Sequence, residues 1–145
     1  MAESNAVSAF GSQLQIGDGG GTEVFTDIAE MKDISGPGGE LGTVEVTHHQ
    51  SPDATREYRP TLKDLSDVTF STNFIPTEAT QNLTTGLLAD WKNRVKRNFR
   101  LIFADTGSTT WGFSAYVTSW SPSSEVENVH MCDFTLRPTG VITEV

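Results

Sequence analysis

Residues 67–74, DVTFSTNF, decide the fold class because apolar and polar side chains alternate along them. Val68, Phe70 and Phe74 form the apolar part of the pattern. The opposite side is small, hydroxylated and acidic, with Asp67, Thr69, Ser71 and Asn73. Such a period of two is typical of a strand buried on one face only. Pro76 ends the pattern, since proline has no amide hydrogen to donate.

The strand pattern recurs on both sides of this segment. We assign further strands to 12–16, 24–34, 43–49, 99–103, 111–120 and 129–137. Segment 24–34 also fits a helical spacing, but glycine-rich turns bracket it and favour a strand. One stripe repeats every three or four residues and predicts an amphipathic helix: Leu83, Leu87, Leu88, Trp91 and Val95. About seven strands and one helix predict an all-β sandwich or barrel flanked by a single α-helix.

Three segments lack any periodicity. Residues 50–65 are interrupted by Pro52 and Pro60 and predict a long loop. Loops of this length in compact domains are usually functional or bound to something. Residues 1–11 predict an N-terminal arm, and 139–145 predict a short C-terminal tail. The whole chain, 1–145, has the length of one domain.

The charge of the chain limits its partners. It has 19 acidic and 10 basic residues, for a net charge of −9. Phosphate binding needs Lys or Arg, so this balance argues against a nucleic-acid-binding protein. Five of the ten bases lie between Lys92 and Arg100, which favours a solvated helix end or a surface that meets an acidic neighbour. No apolar run approaches the about 20 residues of a membrane-spanning helix, so we expect no membrane partner.

No pattern in the sequence points to catalysis or to a bound cofactor. The glycine-rich segment 17–22 lacks the Gly-Lys-Ser/Thr ending of a phosphate loop. His48 and His49 are adjacent and point to opposite faces of a strand, while His130 and Cys132 are only two ligands. Ser51 has no nucleophile elbow around it. We therefore expect no enzyme, no catalytic residues, no cofactor and no metal.

The remaining features suit self-assembly. Terminal arms, a long loop and open strand edges can accept neighbouring copies. Identical subunits that join head to tail form a ring when the rotation closes, and rings that stack by the same kind of contact form a filament.

Several weak motifs, in a fixed order, resemble the tail tube (major tail) proteins of long-tailed bacteriophages. They are 46–60 (VTHHQSPDATREYRP) with 62–64 (LKD), 17–21 (GDGGG), 25–30 (FTDIAE), 34–38 (ISGPG) and 111–118 (WGFSAYVT). The resemblance extends over about residues 10–140, and its strength lies in the order and spacing of the motifs.

The resemblance implies a structural virion protein with no enzymatic activity and no cofactor. Members of the family form rings, usually hexamers, that stack into the hollow tail tube through which DNA is ejected into the host. The expected partners are other copies of the chain and other tail proteins at the tube ends, while DNA passes without specific binding. The expected location is the virion tail, after synthesis in the cytoplasm of the host bacterium.

Two sets of residues are predicted to serve this role. The long loop is expected to contact neighbouring subunits through Arg56, Tyr58, Arg59, Leu62 and Lys63. The polar side of the first strand is a candidate lumen face, made of Asp67, Thr69, Ser71 and Asn73. A lumen of carboxylates and hydroxyls repels phosphate and lets DNA slide.

Other readings stay open. The chain can instead be the tube protein of a contractile tail or of a type VI secretion apparatus, which shares the fold and the ring assembly. A monomeric β-sandwich binding module is the other alternative, with Trp111, Tyr116 and Trp120 as candidate aromatic contacts.

Overall fold

A computed structural model describes residues 2–145 as nine strands, one α-helix and a short 3₁₀ turn at Pro52–Ala54. The strands are β1 (Gln13–Gly17), β2 (Phe25–Asp27), β3 (Met31–Ser35), β4 (Gly39–Glu45), β5 (Tyr58–Leu65), β6 (Val68–Asn73), β7 (Arg97–Ile102), β8 (Thr110–Ser124) and β9 (His130–Glu144). The helix α1 is Leu87–Asn93. The predicted all-β class with one α-helix is confirmed, with two strands more than the expected seven.

Seven strands form one antiparallel sheet in the order β2-β1-β7-β8-β9-β6-β3. Its two outer strands, β2 and β3, are consecutive in the chain and are joined by residues 28–30. A flat sheet of this width would hold its outer strands about 29 Å apart. The connection spans at most about 15 Å. The sheet must therefore curl until its edges meet, which makes it a barrel.

The connection between the two outer strands is hydrogen-bonded to the strands next to them, β1 and β6. The Ile28 amide donates to the carbonyl of Leu14 in β1 at 2.9 Å, and the Asn73 amide at the end of β6 donates to the carbonyl of Glu30 at 3.0 Å. Between these contacts, the Ala29 amide donates to the Thr80 hydroxyl at 3.2 Å. The seam of the barrel is thus closed by backbone groups that belong to no regular ladder.

Gln81 is the side chain that fixes this seam. It is fully buried. Its Nε2 donates to the carbonyls of Ala29 at 2.8 Å and Asn73 at 3.2 Å. Its Oε1 accepts from the Ile75 amide at 2.9 Å. One buried amide side chain therefore binds two backbone carbonyls and one backbone amide around this seam.

The inside of the barrel is a single apolar core. Two aromatic pairs stack across neighbouring strands, Phe70 with Phe134 at 5.3 Å and Phe99 with Phe113 at 5.8 Å between ring centroids. The other large buried side chains of the core are Leu14, Ile16, Val68, Leu87, Leu88, Leu101, Val117 and Leu136. The alternation that predicted β6 is correct, since Val68 and Phe70 are both in this core.

The helix is shorter than its hydrophobic stripe predicts. It begins after Gly86, whose backbone is extended, and a Cβ at this residue would collide with the backbone amides of Gln81 and Asn82. Residues 75–86 form hydrogen-bonded turns, which leaves Leu83 exposed. The helical spacing of Leu83 and Val95 was therefore misleading, because both lie outside α1.

Two further predictions are wrong in their local structure. Residues 50–65 are not an irregular loop: they contain the 3₁₀ turn and the whole of β5, which pairs with β4. Residues 139–145 are not a free tail, because β9 continues to Glu144 and pairs with β8 as far as Trp111. Residues 2–11 of the expected N-terminal arm are exposed and without strand or helix, and Met1 lies outside the described residues.

The helix is tied to the barrel by a buried ion pair. Asp90 in α1 is 2% exposed, and its Oδ1 lies 3.0 Å from Arg97 Nε. Arg97 also donates to the carbonyl of Gly17 in β1 at 2.8 Å. Burial raises the pKa of Asp90 to about 6, against the opposing effect of Arg97. The other carboxylate oxygen, Oδ2, is buried without a hydrogen-bond partner.

Of residues 2–145, none belongs to a helix long and apolar enough to cross a bilayer.

Replacing Gln81 with Leu should destabilise the subunit by about 3 kcal/mol, because three hydrogen bonds from a fully buried side chain to the backbone are lost. Denaturant unfolding of the two proteins measures the difference. Gln13 is exposed in β1, so Gln13→Leu is the matched control and should change stability by no more than about 0.5 kcal/mol. Equal stability of Gln81→Leu and the parent would contradict this role for Gln81.

The Asp90 carboxyl should make stability depend on pH in a defined direction. Its folded pKa of about 6 lies above its ordinary value of 3.8, so the folded state binds the proton first as pH falls. Relative to Asp90→Asn, the parent should therefore gain stability between pH 7 and pH 4, by up to about 3 kcal/mol. Unfolding curves of both proteins across this range measure the gain. Parallel pH profiles would contradict it, and Asp33→Asn at an exposed position is the control.

Candidate assembly surface

The β4–β5 hairpin extends outside the barrel as a separate two-stranded sheet. Nearly all of its residues are exposed, including large apolar ones. The exposed fractions are 86% for Leu62, 54% for Leu41 and Tyr58, and 50% for Val44. A two-stranded hairpin is marginally stable by itself in water. Its exposed apolar side chains therefore mark a surface that another molecule can cover.

The structure divides the predicted contact residues between the two faces of this hairpin. Val44 pairs with Arg59 and Leu41 pairs with Lys63. The register shift between these pairs leaves one β4 residue, Gly42, opposite two residues of β5, so β4 keeps its alternation and the two pairs lie on opposite faces. Tyr58 pairs with Glu45 and shares the face of Leu41 and Lys63, while Leu62 lies at the register shift. Arg56 is exposed just before β5. The predicted contact residues therefore point in two directions rather than one.

The base of the hairpin is fixed to the barrel by charged and polar contacts. Arg137 in β9 binds the carboxylates of Asp64 at 3.2 Å and Asp67 at 3.1 Å. The hydrogen bond to Asp67, with the charges of both carboxylates, raises the pKa of Arg137. Next to this site, the Ser66 amide donates to the Gly38 carbonyl and the Gly38 amide donates to the Ser66 hydroxyl, each at 2.9 Å. The hairpin thus begins and ends at one point.

The tip of the hairpin is held by a small polar cluster. Ser51 Oγ donates to Glu57 Oε2 at 2.6 Å and lies 3.2 Å from His48 Nδ1. The Glu57 amide donates to Thr47 Oγ1 at 2.9 Å. These hydrogen bonds fold residues 47–57 into a compact turn, in which the direction of the Ser51–His48 bond depends on the imidazole tautomer.

The candidate lumen residues lie on the outer face of the barrel, where the sheet forms a broad polar surface. Thr69 pairs with Thr135, and Ser71 pairs with Asp133. In the next strand, Ser119 pairs with Thr135 and Ser121 with Asp133. We call the polar face the outward side chains of Ser35, Thr69, Ser71, Asn73, Ser119, Ser121, Asp133 and Thr135. It carries the acid Asp133, and the same side of β9 continues to Arg137, whose charge is engaged by Asp64 and Asp67.

The predicted lumen residues differ in how free they are. Thr69 is exposed, while Ser71 and Asn73 are half-buried. Asn73 donates through Nδ2 to Glu30 Oε2 at 3.1 Å. Asp67 is engaged by Arg137 at the hairpin base, so it is structural as well as acidic.

Sequence reasoning missed the larger part of the polar face. Asp133, Thr135, Ser119 and Ser121 belong to β8 and β9, far from β6 in the chain, and only the register brings them together. The alternation of Asp133 and Thr135 with the buried Phe134 was a usable signal.

Within residues 2–145 no group of three or more His, Cys, Asp or Glu side chains is arranged to hold a metal ion.

Comparison with known proteins gives the fold. No protein-family model matches the sequence, and no curated protein matches it. A chain in the tail of an empty gene transfer agent particle, refined with C6 symmetry, is 16% identical, with 97% of this chain and 99% of that chain covered and a TM-score of 0.74. A chain of the SPP1 tail tube is 13% identical, with 92% and 75% covered and a TM-score of 0.64.

A chain from a contractile injection system has a similar fold. A chain in the sheath-tube complex of the extracellular contractile injection system PVC is 17% identical, with 97% of this chain and 93% of that chain covered and a TM-score of 0.67. The protein therefore has the fold found in tail and tube assemblies, as the motifs in its sequence predict.

Proposed function

We propose that this protein is a structural virion protein, the subunit of a tail tube, and that its copies form rings that stack into a hollow conduit for DNA. The observation that carries this proposal is the exposed hairpin with apolar side chains on both faces, attached to a closed barrel. Exposed apolar side chains are unfavourable for a monomer in water, whereas a tube subunit can bury them in contacts within and between rings. The fold shared with tail and tube chains supports the same role.

Hexameric rings are the assembly that we propose. The support is the C6 symmetry of the tail whose chain shares this fold. Other tail proteins would cover the ends of the tube. The protein would act in the virion tail after synthesis in the cytoplasm of the host, and it would have no catalytic role.

The polar face is the surface that we propose for the lumen. Its hydroxyls and the carboxylate of Asp133 offer phosphate no cation, so DNA would meet weak repulsion instead of binding. The acidic balance of the whole chain, −9, acts in the same direction. The predicted residues Asp67, Thr69, Ser71 and Asn73 belong to or border this surface.

A tube inside a contractile sheath is the second candidate function. It is favoured by the shared fold with a chain of the PVC sheath-tube complex. A tube of this type binds a sheath along its outer surface. Co-purification of the assembled protein with a sheath protein from its native particle would favour this candidate, and a bare tube would favour the long, non-contractile tail.

Removal of the hairpin should abolish assembly and leave the barrel folded. Because Gly38 and Ser66 are already hydrogen-bonded, an Asn-Gly turn can replace residues 39–65. The shortened protein should keep a cooperative unfolding transition and sediment as a monomer at concentrations where the parent forms rings or tubes. Electron microscopy and sedimentation measure both properties. Normal tubes from the shortened protein would contradict the proposed role of the hairpin.

A positive charge on the polar face should slow DNA passage without preventing assembly. Asp133 is exposed and its carboxylate has no partner in the described part of the chain, so Asp133→Lys adds a phosphate-binding group there. Particles with this change should eject DNA about tenfold more slowly or worse. Glu127→Lys, at the exposed turn between β8 and β9, is the control with the same change of charge. Intact Asp133→Lys tubes with normal DNA delivery would show that this face does not line the lumen.

A further inference from the structure

A groove lies between the end of α1 and the middle of β8. Thr118 is the extra residue of a β-bulge there, since the register of β8 against β9 shifts between Val117 and Ser119. The groove has a volume of about 520 Å³. We call it the aromatic groove, and it is lined by Trp91, Lys92, Arg94, Tyr116, Val117 and Thr118. No residue of β4 or β5 lines it, so the hairpin of the same copy leaves it open.

The aromatic side chains of the groove are exposed, and one of them is held in place. Trp91 is 42% exposed and Tyr116 is 41% exposed. The ring of Trp91 meets the ring of Trp120 edge to face, with 5.5 Å between the centroids, which fixes its orientation. A partner that covers Trp91 therefore loses little side-chain entropy. Trp, Tyr and Arg are also the side chains that most often dominate binding at protein interfaces.

Arg94 brings a positive charge to the groove at a cost to the backbone. It is the C-cap of α1, with φ 56° and ψ 43°. Helices usually place glycine in this left-handed conformation, because a Cβ is unfavourable there. The Arg94 side chain is exposed and makes no ion pair within residues 2–145. An arginine that strains its own helix end and binds no carboxylate of its own copy is suited to bind one on a partner.

We propose that the aromatic groove of each copy receives the β4–β5 hairpin of a neighbouring copy. The register places Leu41, Glu45 and Tyr58 on one face of the hairpin. Leu41 and Tyr58 are exposed and can cover the rings of the groove, while the exposed carboxylate of Glu45 can pair with Arg94. Lys63 is on the same face but lies near the base, beside its own barrel.

The contact is heterologous, because the hairpin and the groove are different surfaces of the subunit. Each copy gives its hairpin to one neighbour and receives the hairpin of another, so the contacts continue around or along the assembly. This inference rests on the proposed function, since it assumes that copies assemble. It adds to that function the surface that covers the hairpin.

Other surfaces of the described chain fit the groove less well. The polar face has the carboxylate of Asp133, but its hydroxyls offer nothing apolar to cover Trp91. The β8–β9 turn presents Val126 between two acids, but Ser124 pairs with His130 directly before it, so the turn stays attached to the barrel sheet. The hairpin combines exposed apolar groups with acids and forms a separate sheet outside the barrel.

Two variants that each keep one half of the contact test the proposal. The shortened protein, with Asn-Gly in place of residues 39–65, keeps the groove and lacks the hairpin. Arg94→Glu keeps the hairpin and places an acid in the groove, so it should need about tenfold more protein than the parent to assemble. Below that concentration, unlabelled Arg94→Glu should shift the Trp91 indole signal in the NMR spectrum of the isotope-labelled shortened protein. Unlabelled shortened protein should leave this signal in place, because it has no hairpin to offer.

Arg94→Gly separates binding from folding. Glycine relieves the left-handed strain, so this variant should unfold at the parent's denaturant midpoint or above it, yet assemble about tenfold less readily. Lys32→Glu, at an exposed base in β3 outside both surfaces, is the control and should assemble as the parent does. Sedimentation and electron microscopy at matched concentrations measure assembly.

The outcomes distinguish this inference from the proposed function. Tubes that form from Arg94→Glu and Arg94→Gly at the parent's concentration, or a Trp91 signal that does not shift, would overturn the hairpin-in-groove contact alone. A parent protein that never assembles would overturn the proposed function together with this contact.

Discussion

Closure of the seven-stranded sheet at residues 28–30 is the constraint on which the rest of the structure depends. Two outer strands that are three residues apart in the chain can belong to one sheet only if that sheet curls into a barrel. The seam exposes backbone groups of Ala29 and Asn73 to the interior, and Gln81 satisfies them from the turn that precedes α1. The turn must therefore stay non-helical up to Gly86, which limits α1 to seven residues.

The hairpin lies outside the barrel. The chain leaves the seven-stranded sheet after β3, and β4 and β5 pair only with each other. Arg137 fixes the base of this pair and leaves its faces in solvent. The barrel is stabilised by its own core, whereas the hairpin contributes no residue to that core. This division is what a repeating assembly requires, since subunits must fold before they join.

The sequence pattern predicted the strands that bury one face and expose the other. It failed for elements whose two faces are equally exposed or whose ends depend on packing. The alternation in β6 and the aromatic residues of β7 to β9 reported burial on one side, so the fold class followed from them. β5 was missed because both of its faces are exposed and Pro60 suggested a loop. Proline is tolerated there because β5 has a partner on one side only.

The predicted helix boundary was wrong because the hydrophobic stripe does not show that Gly86 packs on Gln81. The polar face needed the register of β6, β8 and β9, which no local pattern contains.

Cryo-electron microscopy of the concentrated protein, with hydrogen exchange on the same sample, tests whether neighbouring copies cover the hairpin in a tube. We expect hollow rings or tubes in which the β4–β5 amides become protected from exchange. In dilute monomer the same amides should exchange far faster than those of the barrel. Monomers that remain dispersed at high concentration, with β4 and β5 as well protected as β6 and β9, would contradict it. Such a hairpin would be stable without a neighbour, and the argument for assembly would be lost.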